Sequence, residues 1–524
     1  MHQHEQRLLR FFLRRDSYPH PVGRIERRET HVSLVFLAGD YAYKLKKAVK
    51  FPFLDASTVA LRKKFCLLEL SLNRRLAPAI YLGIVPIIDT GTGLRLGGTG
   101  TIIDWVVKMR RLPENRMLDQ LVAKRAVTRA DMQEIGDHLA KFFRAAARSR
   151  AIDRYGTPEA VQALVLGNLS ECQPFLGTLL LEKDQAFLES AYRQYLALHE
   201  PILARRLAKR RIIDGHGDLR CENICLSKPA NIFDCVEFQP AFRCGDMAND
   251  FSFLVMDLEF RGRHDLAEIL VKQYQRRLRD ATLASVLPFY QCYRSVVRGK
   301  VRGFAWLQHP RSIEGRRVKG ISRKHFQLAV RYARRFAPPR LIVVGGLIGS
   351  GKSTLARSLA EALGATWLRT DEIRSREFGH LPNPKGHFAS GRYSSNVSAL
   401  VYQRMQRRAE QLIRAGHSVV CDGTFSKAEG RVLLRRIATR HRASFHFFEC
   451  AIPKAVALKR IAARYATKSD LSEARPEHYD RMRADFEPVR GWSSRDWTRI
   501  LDNRPASETF HDALKILRRL WASA

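Results

Sequence analysis

An apolar run, Leu341-Ile342-Val343-Val344, leads almost directly into Gly346-Leu347-Ile348-Gly349-Ser350-Gly351-Lys352-Ser353, and Leu355, Leu359 and Leu363 follow at helical spacing. Four consecutive apolar residues suit a buried strand, and leucines four apart mark one face of a helix. Between them the pattern G-x-x-x-x-G-K-S leaves the backbone little choice. Its glycines let consecutive N–H groups curl around an anion without Cβ clashes. A strand that turns this tightly into a helix N-terminus cradles phosphate. Lys352 is then placed for the β- and γ-phosphates of ATP and Ser353 for Mg2+, with Gly346, Gly349, Ser350, Gly351 and Thr354 completing the loop.

Strands and helices alternate from there on. Thr366 to Arg369, Ser418 to Cys421 and Ser444 to Cys450 read as strands, and about Asn396 to Ala415 as a helix. The alternation predicts a parallel sheet covered by helices, with a ligand at its carboxyl ends. Asp371 and Arg374 follow the second strand. Asp371 is a candidate base for an attacking hydroxyl, or else the cap of the next helix, and Arg374 a holder of an anionic acceptor. Asp422 ends Val419-Val420-Cys421 as a magnesium-side acid would. Arg460 and Arg464, four apart, form either a phosphate clamp on a lid or an ordinary solvated face. Together these residues resemble the small P-loop kinases, a group that includes gluconate- and shikimate-kinase-like enzymes, zeta-toxin-like proteins and the kinase domain of polynucleotide kinase.

The first half carries a second constellation. His216-Gly217-Asp218-Leu219-Arg220-Cys221-Glu222-Asn223 is followed eleven residues later by Asp234. One Asp to take a hydroxyl proton, with an Asn and a second Asp to hold magnesium on nucleotide phosphates, is what a eukaryotic-kinase-like site needs. The H-G-D-L-x-x-x-N run resembles the aminoglycoside phosphotransferase family, which also covers choline- and homoserine-kinase-like enzymes. That resemblance implies a two-lobed protein-kinase-like fold with Asp218 as base, Asn223 and Asp234 on the metal, and Asp250 bracing the loop. It further implies a phosphate-binding Lys44 with Glu69 as its ion-pair partner, although Lys46 and Lys47 compete for the part. Two departures stand out: no glycine-rich loop precedes Val32, and Arg220 and Glu222 stand where His and Gly are common.

The remaining sequence bounds these readings. At 524 residues the chain exceeds one core, and 1–115, 116–310, 311–339 and 340–524 are expected as N-lobe, C-lobe, basic linker helix and P-loop domain. The fold class is α/β and α+β multidomain. No window suits a bilayer span and the N-terminus does not read as a signal peptide, so the cytoplasm is the expected location. Four of the nine cysteines, Cys221, Cys225, Cys235 and Cys244, crowd together at spacings unlike a zinc site, with Cys225 and Cys235 in strand-like runs. A net charge of +39 attracts polyanions, nucleic acid among them, and would repel a polycationic aminoglycoside. The leading expectation is ATP-dependent transfer to a hydroxyl acceptor. A polynucleotide 5′-kinase-like enzyme and a regulatory or toxin-like ATP-binding protein with an inactive first half are the alternatives. The acceptor and the oligomeric state are not readable from sequence.

Overall fold

The computed structural model describes residues 3–51, 54–381, 391–467 and 475–521. By compactness the chain divides into two units, Met1–Val161 with Leu203–Arg298, and Gln162–Ile202 with Gly299–Ala524.

In the first unit a six-stranded antiparallel sheet runs in the order Ile25–Glu29, Ser33–Ala38, Tyr41–Lys46, Thr101–Arg110, Tyr81–Asp89, Leu94–Leu96. The Gly39-Asp40 turn pairs Ala38 with Tyr41 and Val35 with Lys44. Strand alternation sends Tyr43 and Leu45 into the core and sets Lys44 and Lys46 together on the other face. Helix Val59–Asn73 starts at Thr58, whose hydroxyl accepts the Leu61 N–H at 3.2 Å. Apolar spacing in the sequence predicts a helix from about Thr58 to Leu76 with Leu61, Phe65, Leu68, Leu72 and Leu76 on one face, and the buried face corrects that expectation. Leu61, Phe65 and Leu68 are only partly buried, and Arg62, Cys66, Glu69, Leu72 and Asn73 point inward instead. The reason is polar pairing: Arg62 donates to Asp104 at 2.9 Å, and Glu69 meets the lysine face of the sheet.

Helices make up most of the rest of this unit. Two short ladders, Ile212–Asp214 with Cys244–Asp246 and Ile224–Cys225 with Asn231–Ile232, flank the Asp218 loop. Residues 233–236, read as strand-like, are not a strand, since Asp234 takes a left-handed φ of +65° that no ladder accommodates. All nine cysteines are buried and none forms a disulfide.

The second unit holds a parallel sheet ordered Thr366–Arg369, Val419–Asp422, Arg340–Gly346, Ser444–Ala451, Trp497–Leu501. Alternation splits the apolar strand between two cores. Leu341 and Val343 pack with Val401, Met405 and Leu434, while Ile342 and Val344 pack with Leu355, Leu359 and Leu514. Helices therefore cover both faces, which a parallel sheet requires. Strand Val419–Asp422 lies between the phosphate-loop strand and Thr366–Arg369, so the second strand in sequence is not its neighbour in space. The basic stretch after Arg311 forms helix Ile313–Phe336, which falls in this unit. Val318, Phe326, Ala329 and Ala333 are buried along it, and Ser322 donates to the Gly299 carbonyl at 2.8 Å. Among the described residues no helix is long and apolar enough to cross a membrane.

Candidate active sites

At the carboxyl end of strand Arg340–Gly346 the chain makes the turn that the glycines allow. Gly346, Gly349 and Gly351 have φ of +142°, +75° and +80°. A Cβ on Gly351 would sit 1.8 Å from Asp502 Oδ2, and one on Gly346 would sit 2.4 Å from the Cys450 carbonyl oxygen. No other residue fits these two places. Gly351 is the N-cap of helix Lys352–Leu363, so Lys352, Ser353 and Thr354 form its first turn. Lys352 makes no ion pair among the described residues, and its Nζ reaches only the Leu347 carbonyl, at 3.4 Å.

Asp422 ends the adjacent strand, in register with Val344 on one side and Arg369 on the other. Its side chain is 1% exposed and neither carboxylate oxygen has a hydrogen-bond partner. Burial pushes its carboxyl above the ordinary range, and Lys352, Ser353 and Arg369 pull the other way without overcoming it. A buried carboxylate left this way beside the loop's serine hydroxyl offers oxygen donors that fit a hard divalent cation, while Lys352 can serve only the phosphates.

Asp371 is the second residue of helix Thr370–Phe378, and it is not the cap, which is Arg369. Its side chain is 25% exposed, 4.0 Å from Arg369 Nη2, and Arg369 Nε lies 3.7 Å from Asp422. Arg374 is buried: Nη1 donates to the Arg392 carbonyl at 2.8 Å and its guanidinium stacks on Tyr393. The sequence reading did not anticipate the tyrosines here. Burial and the nearby Asp371 raise the Tyr393 phenol, and buried Tyr402, pushed up to about 12, accepts the Phe425 N–H.

At the loop itself a cleft of about 270 Å³ is lined by Gly351, Lys352, Ser353, Thr354, Arg460 and Asp502, among others. Arg460 is not simply solvated: Nη1 and Nη2 bind the carboxylate and carbonyl of Asp502 at 2.5 and 2.8 Å. Thr509 donates to the other Asp502 oxygen at 2.9 Å. The side chain of Arg464 lies outside the described residues. Asp502 had one sequence signal, its place after Trp497–Leu501, but that strand and helix Ala506–Trp521 were not picked out, because Trp497-Thr498-Arg499 breaks the apolar pattern.

In the first unit Lys44 Nζ lies 2.8 Å from Glu69 and 2.6 Å from Asp234. Lys46 pairs with the other Glu69 oxygen and with Glu237, while Lys47 pairs with Glu29. Lys44 and Lys46 thus share one glutamate, and Lys47 stands apart. Opposite charges on both sides raise the Lys44 ammonium despite its burial and lower Glu69 to about 2. The loop that carries Asp218 is braced from behind: Asp250 accepts the N–H groups of His216 and Gly217 at 2.7 and 2.8 Å.

Asp218 itself is fully engaged. Arg220 binds both its oxygens, at 2.7 and 2.8 Å, and the Asn223 amide donates to Oδ2 at 2.9 Å. Burial opposes its ionisation, but Arg220 overrides this and holds the carboxyl well below the usual range. Arg220 also pairs with Glu222, so both unusual loop residues belong to one clamp. The structure brings Lys44, Glu69 and Asp234 into one cluster and Asp218, Arg220 and Asn223 into another.

Residues 341–489 match the family model AAA_33, an AAA domain. Among solved structures, the choline/ethanolamine kinase family protein from Mesorhizobium loti is 14% identical, covering 60% of this chain and 93% of that one at a TM-score of 0.36. The gluconokinase from Sinorhizobium meliloti is 20% identical, covering 36% of this chain and 95% of that one at a TM-score of 0.27. Over 458 residues the chain is 35% identical to the uncharacterized protein Rv2004c of Mycobacterium tuberculosis, covering 86% of this chain and 89% of that one. Mb2027c of Mycobacterium bovis matches to the same extent. The chain belongs to one family with these mycobacterial proteins, and its C-terminal part carries the P-loop domain.

Proposed function

We propose that the protein is an ATP-dependent phosphotransferase whose working site is the P-loop of the second unit, acting on a hydroxyl acceptor. The observation that carries this reading is Asp422, a buried carboxylate that makes no hydrogen bond and has only the 3.7 Å approach of Arg369, beside a lysine that forms no ion pair among the described residues. Both groups are held ready for a ligand, at the strand ends where an α/β sheet receives one. In this reading the loop N–H groups and Lys352 hold the β- and γ-phosphates, and the cleft at Thr354, Arg460 and Asp502 receives the rest of the nucleotide. Mg2+ held by Ser353 and Asp422 would neutralise charge on the phosphate oxygens. Asp371 takes the proton of the acceptor hydroxyl as its oxygen bonds to the γ-phosphorus. The bond from that phosphorus to the β,γ-bridging oxygen breaks and ADP leaves. Arg374, tied to the Arg392 carbonyl, positions the segment around Tyr393 more than it offers a free cation to the acceptor.

For the first unit one observation favours a regulatory, nucleotide-sensing reading over a second catalytic one. Arg220 and Asn223 occupy the carboxylate that would have to accept a proton, and a base clamped by a bidentate arginine is a weak one. The test is acceptor-dependent ADP release by full-length chain with ATP and Mg2+ across a panel of hydroxyl metabolites. Activity that disappears in Lys352→Ala and survives in Asp218→Asn supports both readings. Activity that survives in Lys352→Ala and disappears in Asp218→Asn reverses them.

A further inference from the structure

A cleft of about 580 Å³ in the first unit shares no residue with either candidate site. Three helices, Arg129–Ala145, Glu182–Ala208 and His264–Leu278, end around it. The first brings Arg144 and, just beyond it, Arg148; the second is followed by Lys209-Arg210-Arg211. The third brings Arg276, Arg277 and Arg279, while the remaining lining residues, Phe143, Met247 and Leu278, are apolar. Eight of the eleven lining residues are cations and none is an acid. Lysine and arginine make up 91 of the chain's 524 residues, so basic composition alone would place about two there.

Helix ends carry negative dipole and unsatisfied carbonyls, which explains part of the cluster. Arg148 donates to the carbonyls of Phe143, Arg144, Ala146 and Arg210, and Arg144 to that of Arg277. Arg277 binds Asp137, and Arg210 comes within 3.7 Å of Asp153. The side chains of Lys209, Arg276 and Arg279 make no hydrogen bond or ion pair among the described residues, so capping does not account for them. Burial first, and then the nearby Arg210 and Arg211, lower the Arg148 guanidinium. Two of the cations also sit where arginine is costly. Arg210 and Arg279 close their helices at φ of +57° and +46°, a position that glycine fills with less strain.

We propose that this cleft binds a compact anion bearing several phosphate groups, gripped by Lys209, Arg210, Arg276 and Arg279. Guanidinium forks suit phosphate oxygens. The only aromatic ring in the lining, Phe143, is fully buried, so no platform exists on which a base of single-stranded nucleic acid could stack.

The test is calorimetric titration of inorganic tripolyphosphate into full-length protein carrying Lys352→Ala, which removes the P-loop contribution. Saturable binding that weakens with salt is expected. In Lys352→Ala/Arg210→Gly/Arg279→Gly affinity should fall about tenfold or more. Glycine suits both left-handed positions, so this variant should fold with an unchanged or higher Tm, and Lys352→Ala/Arg276→Gln, which leaves the helix ends intact, serves as a second reading of the same loss. Equal tripolyphosphate affinity in all three proteins overturns the proposal. A single-stranded RNA of ~20 nucleotides that binds through the same arginines and is not displaced by tripolyphosphate also overturns it, in favour of extended nucleic acid.

Discussion

The candidate sites of the two units treat their central carboxylate and lysine differently. Around Asp218 the carboxylates and cations have found one another: Lys44 with Glu69 and Asp234, Lys46 with Glu69 and Glu237, Arg220 with Asp218 and Glu222. Around the P-loop, Lys352 forms no ion pair among the described residues and Asp422 is buried without a hydrogen bond. A buried charge that has a protein partner is stabilised, and a ligand must break that pair before using it. A buried carboxylate with no hydrogen bond, whose nearest arginine stands 3.7 Å away, keeps much of its burial cost until a ligand arrives. The same residue types therefore signal readiness in one unit and self-sufficiency in the other. Motif matching alone does not distinguish the two, because it reads identity and not partnership.

The sharpest way to break this comparison is Lys352→Ala. If the P-loop is the working site, nucleotide affinity of the full-length chain should collapse and turnover should fall by about 10³ or more, the scale for losing a preorganised phosphate contact. Fluorescent-nucleotide titration and ADP release read the two effects separately. Asp371→Asn should come next, with ~10² lost in turnover and ATP affinity held within a few-fold, since a base acts in the transition state and contributes little to nucleotide binding. Normal turnover in Asp371→Asn would move the acceptor site elsewhere.

The self-sufficient site predicts a stability effect instead. Arg220→Met leaves the Asp218 carboxylate with only the Asn223 amide and should cost about 2 kcal/mol in denaturant unfolding at pH 7, less than a wholly enclosed pair because the site is partly open. The pH dependence has a definite sign. Arg220 depresses the folded-state pKa of Asp218. The pair's stabilisation is therefore present above the unfolded carboxyl value near ~3.9 and is lost as pH falls through the lower folded value. Wild type and Arg220→Met should converge in stability well below pH 4. A constant gap down to pH 2 would mean that Arg220 acts by packing alone.

How much of this was legible in the sequence depends on distance along the chain. Gly346 to Ser353 and the helix after it are local, and the helix observed, Lys352–Leu363, buries Leu355, Leu359 and Leu363 as their spacing implies. The Asp218 loop was legible as a motif, and its Arg220 departure was visible, but the clamp needs the loop's path in space. Helix Val59–Asn73 misled because its inward face carries Arg62 and Glu69, whose partners Asp104 and Lys44 lie on other strands. An apolar-face rule cannot see a polar interface whose other half is distant. Asp502 was missed for the same reason: its relation to Gly351 joins residues some 150 positions apart through a strand of weak pattern. The basic cleft was invisible as well, since it collects three helix ends, while the sequence marks only 311–339 as a basic segment.

The smallest effect discriminates best between a site awaiting a metal and a merely strained core. Asp422 keeps a buried carboxylate whose pKa is raised. A raised folded-state value means that its favourable contribution holds below the unfolded value and is lost as pH climbs through the folded one, so at neutral pH ionised Asp422 opposes folding. Asp422→Asn removes the charge at nearly constant shape, and should raise the stability of ligand-free protein by about 1 kcal/mol, or a few degrees in Tm. The same substitution should abolish the gain in nucleotide affinity that Mg2+ confers, while leaving metal-free nucleotide binding close to wild type. Lowering the pH of the wild type should imitate it, with the magnesium effect fading above the pH at which an ordinary exposed aspartate titrates. Thermal melts with and without Mg2+ and nucleotide separate the cases. A variant that is more stable but keeps its magnesium dependence would show that Asp422 carries strain and no metal. A variant that is less stable would mean that the carboxylate is partnered after all, and the contrast between the two units would fail at its most exact point.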